Sequence, residues 1–413
     1  MNNQANGLWQ AQTSCKIYIG RLMVMAMIGC FFANILGCAS TSEADAPKVS
    51  VVSAASMDDV RPAGAIHDFY MIDRSAAHDL GYRIDWQRNI HPSKNSGIKD
   101  LVAQGDSVFV LDGRNFLSRL RRSDGVQLWQ VPFGKAIDEV QGIKYMPSLK
   151  RIFITSGGDM FVLDSDTGLQ LAKQELDPIA NTNSAQYGPY FLYGARNGQL
   201  VWHSYAVGHE WRAYQISPSI LLEPQIFDNV VVTVGSDGRV MVLDADKVAQ
   251  FWSKRLLNNI TARPAVGLGN VYIAGLDQHL WALDIDNGRQ SWRYLSRSPL
   301  TDSPVIVGER VYQQIPADGL VCFEARPIDS PDGVIVWTAE GVKGNVVARL
   351  NSDLLVWDKN MRELDVVDIA YGSVAKHLTL SNVQYLLGSL GGNGDLITAS
   401  EDGRVLRLVP RHN

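Results

Sequence analysis

A unit of about forty residues recurs through most of this chain, and no other feature restricts its fold so strongly. Asp237-Gly238-Arg239-Val240-Met241-Val242-Leu243-Asp244-Ala245-Asp246 leads to Trp252, and Gln278 through Gly288 leads to Trp292 in the same way. Asp112-Gly113-Arg114 starts another copy that runs through Leu120 and Gly125 to Trp129. Pro224, Pro264 and Pro304 stand forty residues apart. Each copy reads as a tight turn, a strand ending in an apolar residue, a turn that in its fullest form is Asp-x-Asp-x-Gly, and a Trp four residues past the Gly position. A repeat of this length is one supersecondary unit that cannot bury its own apolar surface, so the copies must stack.

Extending the register gives eight strand-end positions: Leu120, Leu163, His203, Leu243, Leu283, Phe323, Val367 and Leu408. The outer-strand positions that follow are Trp129, Ala172, Arg212, Trp252, Trp292, Trp337 and Lys376, one fewer. Asp85-Trp86, at the start of the repeat region, supplies the eighth, because the chain stops at Asn413 soon after Leu408. Val230 to Val234, then Ser236-Asp237-Gly238, then Val240 to Leu243 reads as a hairpin. The regular prolines suit an innermost strand, which needs no donor along its free edge. Four short strands in each of eight units predict an all-β chain: an eight-bladed β-propeller over residues 82–413. Its ring is closed by the N-terminal strand near Tyr82–Ile90, so that no sheet edge stays open within the ring.

The N-terminal segments read differently. Lys16 and Arg21 precede an apolar run from Leu22 to Leu36, with no acidic residue before Glu43. The run is short for a membrane span, which needs about 20 apolar residues, and its order is that of a secretory signal. Its end, Ile35-Leu36-Gly37-Cys38, resembles the lipobox of bacterial lipoproteins, which implies cleavage after residue 37 and lipid attachment at Cys38. An uncleaved anchor, or a plain signal with an incidental Cys, are the alternatives. Cleavage would remove two positive charges from a chain whose net charge is −5. Residues 38–60 read as a flexible tether, and 61–81 as a lead-in in which Asp68 to Leu80 favours a short helix. Ala39, rather than Asp, after the lipidated residue implies sorting to the outer membrane.

The repeated Trp in the outer strand resembles the tryptophan-docking repeat of PQQ-type quinoprotein propellers. The spacing separates it from WD40 repeats, whose Trp-Asp pair ends the third strand. The resemblance is carried by Trp86, Trp129, Trp252, Trp292 and Trp337, and fails at Ala172, Arg212 and Lys376. Such a Trp is expected to pack between neighbouring blades, filling the wedge that widens outward. With the lipobox and tether, the chain resembles BamB-type lipoproteins of the outer-membrane β-barrel assembly machinery. That implies a non-catalytic scaffold docking on the POTRA domains of the barrel-inserting subunit. A receptor propeller for another protein, polymer or small ligand is the second reading, and a PQQ-dependent dehydrogenase the third.

Motifs for chemistry are sparse. PQQ enzymes carry a vicinal Cys pair, and this chain has none; Cys322 lies in the apolar run Leu320-Val321-Cys322-Phe323 and reads as a small buried hydrophobe. Asp164-Ser165-Asp166-Thr167-Gly168 and Asp284-Ile285-Asp286-Asn287-Gly288 resemble calcium-loop starts but lack the distal Glu, and recur where the repeat turns. No histidine pair has metal-ligand spacing, and no nucleophile elbow or phosphate loop is present. The expectation is therefore no catalytic residue, cofactor or metal, protein partners, and no nucleic acid, since a pI near 5.9 offers no basic face. Arg119, Arg121 and Arg122 read as a solvated basic cluster on a blade.

Overall fold

The computed structural model describes residues 70–93 and 96–411. They form eight four-stranded antiparallel sheets, numbered here as blades in chain order. Blades 1 to 7 span residues 98–132, 140–175, 185–215, 225–255, 265–295, 305–339 and 345–379. Blade 8 is composite: residues 385–410 supply three strands and Tyr82–Asn89 the fourth, paired antiparallel to Arg404–Pro410. The eight-bladed propeller and its closure by the N-terminal strand are thus observed. The seams between consecutive blades are called first to eighth, the seventh joining blades 7 and 8 and the eighth joining blades 8 and 1.

Each blade is a meander from an inner to an outer strand. The two middle strands are buried on both faces, because each sheet is covered by a neighbour on either side. Val231, Val232, Val240, Val242 and Leu243 of blade 4 are all fully buried. This explains the continuous apolar runs where a half-exposed strand would alternate. Pro224, Pro264 and Pro304 stand one residue before the innermost strands Gln225–Phe227, Ala265–Gly267 and Val305–Val307, rather than within them. The helix predicted from Asp68 is confined to Arg74–Asp79. Cys38 and segments 1–37 and 38–60 lie outside the described residues.

One irregularity recurs in every blade. The outer strand bulges, so that the residue just before the docking position has no partner in the ladder: Val242 pairs with Trp252 and Leu243 with Gln250, leaving Phe251 out. The same shift brackets Leu128, Leu171, Trp211, Ser291, Val336, Ala375 and, in the closing strand, Asp85. A bulge re-aims the side chains beside it. Here it brings the docking residue opposite the residue that precedes the strand-end position.

Candidate functional site

The eight seams are where the repeat concentrates its specific geometry. At five of them the Trp at the docking position of one blade bridges to the next. Trp86, Trp129, Trp252, Trp292 and Trp337 donate their indole N–H to the carbonyls of Arg122, Ser165, Ile285, Ala325 and Ile369, at 3.0, 2.7, 2.7, 2.9 and 2.8 Å. Each ring lies on the glycine four residues before the next blade's docking position: Gly125, Gly168, Gly288, Gly333 and Gly372. A β-carbon on Gly288 would come within 2.6 Å of the Trp252 ring, and the residue has φ +69°. Glycine serves there twice, by allowing the left-handed backbone and by leaving room for the ring.

At two of the three seams without a docking Trp, another donor takes the equivalent carbonyl. At the second seam, Gln174 Nε2 donates to Tyr205 O at 2.8 Å, and its Oε1 bonds His203 at 2.9 Å. Burial pushes the His203 pKa down to about 4, with His209 adding to the shift. At the third seam, Trp202 donates to Ala245 O at 3.0 Å. Trp202 is the cross-strand partner of Arg212, so the indole reaches the same seam from the adjacent strand. The turn it meets carries Val248, with φ +54°, where the other repeats favour glycine. Trp202 escaped the sequence reading because it stands outside the outer-strand register.

The basic cluster corrects an expectation. Arg119 is buried, with its guanidinium on Ser107 Oγ (2.9 Å) and Ser165 O (2.6 Å), so it joins blades 1 and 2. Arg122 reaches Asp395 of blade 8 through two hydrogen bonds, and Arg407 binds Asp395 (2.6 Å) and Asp85 (2.8 Å). Burial works against the Asp395 charge, but the bonds from Arg122 and Arg407 hold its carboxyl below the usual range. Only Arg121, paired with Asp124, fits the solvated reading. Spacing alone cannot tell an exposed Arg from one whose partner is 273 residues away.

Polar groups of the inner rim also join several blades. Glu223 accepts from Lys144 (3.0 Å) and Asn183 (3.3 Å) and pairs with Arg263 (3.1 Å), groups drawn from the innermost segments of blades 2, 3 and 5. Asp302 continues this polar belt to Asn345 at 3.2 Å. The quinoprotein resemblance would place a cofactor and calcium near such a rim, but the residues do not fit that pair. The best-placed carboxylate is committed to two cations. Among the described residues no group of three or more His, Cys, Asp or Glu could hold a metal. Cys322 is buried, and burial pushes its thiol up to about 12, which leaves it neutral and unreactive. Asp164 and Asp284 accept backbone N–H groups of Asp166 and Thr167, and of Asp286 and Asn287, which closes their turns.

Comparison with known proteins agrees with the propeller. Residues 192–326 match the family model described as outer membrane protein assembly factor BamB. The chain is 22% identical over 271 residues to "Outer membrane protein assembly factor BamB" of Shewanella oneidensis, a match covering 62% of this chain and only 60% of that protein's length. The crystal structure of BamB from Moraxella catarrhalis superposes with a TM-score of 0.63 at 18% identity, covering 80% of this chain and 98% of the other. The computationally designed Ika8 protein gives 0.63 at 18% identity, covering 78% of this chain and all of its own. At these identities the solved structures speak for the fold. The chain is thus an eight-bladed propeller whose repeats are similar to those of the BamB family model and of the curated relative.

Proposed function

We propose that this chain is a lipid-anchored, non-catalytic scaffold that works through protein partners in the assembly of outer-membrane β-barrel proteins. The match of its repeats to a family named for outer-membrane assembly carries the reading. The geometry supports it from another side: Glu223 at the inner rim and the docking side chains in the seams join one blade to the next. Function then belongs to the exposed turns and outer strands, which a rigid ring holds in place. Cys38 is the anchoring residue in this reading, the cell envelope is its location, and the barrel assembly complex is its partner.

The test is genetic and biochemical together. Deleting the gene in the source bacterium should lower the amount of barrel proteins in the outer membrane. The wild-type gene should restore them, and Cys38→Ser should lose lipid labelling and restore them poorly. Unchanged barrel proteins in the deletion strain would overturn the assembly role, and unchanged membrane attachment of Cys38→Ser would overturn the anchor. Adding PQQ with calcium should leave the thermal melt unmoved, since a ligand of the native state raises its stability. A rise would reinstate the enzyme.

A further inference from the structure

The seventh seam differs from the others for a reason set by topology. Elsewhere the docking side chain of one blade meets the turn between the third and fourth strands of the next. Blade 8 has no such turn, because its third strand is Arg404–Pro410 and its fourth is Tyr82–Asn89. The ring is cut at the one turn on which a Trp of blade 7 would dock. The docking position of blade 7 holds Lys376 instead.

The lead-in occupies that place. Met71, Ile72, Ala77 and Leu80 are buried in one apolar cluster with Leu364 and Val366 of blade 7 and Leu406 and Leu408 of blade 8. Lys376 Nζ reaches Asp79 Oδ1 at 3.0 Å, and Met71 N–H donates to Gln87 Oε1 at 2.7 Å. Arg411 N–H donates to Gly81 O at 3.0 Å, which ties the two ends of the ring. The helix has six residues, too few to hold its shape without the surface beneath it. Its ion pair is about half exposed on both sides (44% and 50%), where such pairs contribute little. Clefts flank blade 8 on both sides. One of about 390 Å³ lies between the lead-in and Thr379–Asn382, and one of about 320 Å³ lies between blades 8 and 1.

We propose that residues 70–80 are a latch: the ring opens first at its seventh seam, and the latch sets how readily it does so. Opening there uncovers Leu364, Val366 and Leu406 while the tryptophan seams stay joined. It also couples the ring to whatever acts on the chain upstream of residue 70, since that chain enters the propeller through the latch. Local opening is drawn from segments held by exposed polar bonds and outside the strand ladders: the latch adds no strand to either sheet, and its ion pair with Lys376 is half exposed.

The test is hydrogen exchange of the full chain, followed by mass spectrometry, in wild type, Ala77→Asp, Met71→Ala and Trp292→Ala. Both latch variants should speed exchange at least tenfold in the outer strand of blade 7 and in both strands of the closing pair, 82–89 and 404–410. Blades 3 to 5 should keep wild-type rates. Trp292→Ala should speed blades 5 and 6 and spare the closing pair. If Ala77→Asp does not fold, Met71→Ala reads the same effect with a smaller perturbation. Unchanged rates at the closing pair in Met71→Ala, or acceleration spread evenly over all blades, would overturn the latch.

Discussion

The fourth and seventh seams solve one packing problem with different material. At the fourth, Trp252 of one blade lies on Gly288 of the next and donates to Ile285 O at 2.7 Å. Both halves of that joint are written in the repeat. At the seventh, an apolar segment from outside the repeat does the work, because blade 8 has no turn between its third and fourth strands. Degeneracy of a repeat therefore has two origins. At the third seam the sequence drifts and the indole is replaced from the neighbouring strand by Trp202. At the seventh the partner surface is missing, so no residue at position 376 could dock.

The largest expected effect comes from removing the repeat's own joint. Trp252→Ala should cost about 3–5 kcal/mol in urea unfolding, as truncation of a buried large aromatic does. A negligible change would show that the seam is held by the strands alone. Met71→Ala at the seventh seam should cost less, about 2–3 kcal/mol, at the low end for a buried Met because a surface segment can settle into the gap. An equal or larger loss would erase the contrast between the seams. Gly288→Ala should cost about 1–3 kcal/mol, through the left-handed backbone and the clash with the Trp252 ring. A neutral result there would mean that the indole can shift without loss.

Smaller effects come from charge. The Asp395 pKa is lowered in the folded state, so its contribution is present above the ordinary carboxylate range and is lost as pH falls through its depressed value. Unfolding midpoints of wild type should therefore drop in acid more steeply than those of Asp395→Asn. Parallel curves would remove the Arg122–Asp395–Arg407 group from the closure of the ring. Lys376→Ala should cost under about 1 kcal/mol, as for an exposed ion pair. A loss matching that of Met71→Ala would make the ion pair, and not the apolar residues, the substance of the latch.

The ring could be read from the sequence because its determinants are local. Gly-to-Trp spacing, apolar runs and turn residues recur at fixed offsets, and Trp86 before the repeats matched the missing strand after Leu408. Four things could not be read that way. Trp202 acts from a strand where a Trp has no periodic meaning. Arg119 and Arg122 look like surface charge until folding brings Ser165 and Asp395 beside them. Met71 and Ile72 show no helical period and precede the first strand, so only the contacts of a finished ring reveal them as core. Glu223 is a similar case, since its partners come from three blades.

A circular permutant isolates the cause of the difference between the two seams. A short Asp-Asn-Gly turn would join Pro410 to Tyr82, the lead-in would be deleted, and new ends would open at Ile328, an 88% exposed loop residue. Blade 8 would then own the turn it lacks, so a Trp at position 376 would have a glycine to lie on. The urea midpoint of this permutant is measured with Lys376 and with Lys376→Trp. Lys376→Trp should stabilise the permutant by about 2 kcal/mol or more and give no gain in the native chain, where the lead-in fills the site. Equal midpoints in the permutant, or the same gain in the native chain, would contradict the claim that the seventh seam is latched because the ring is cut there.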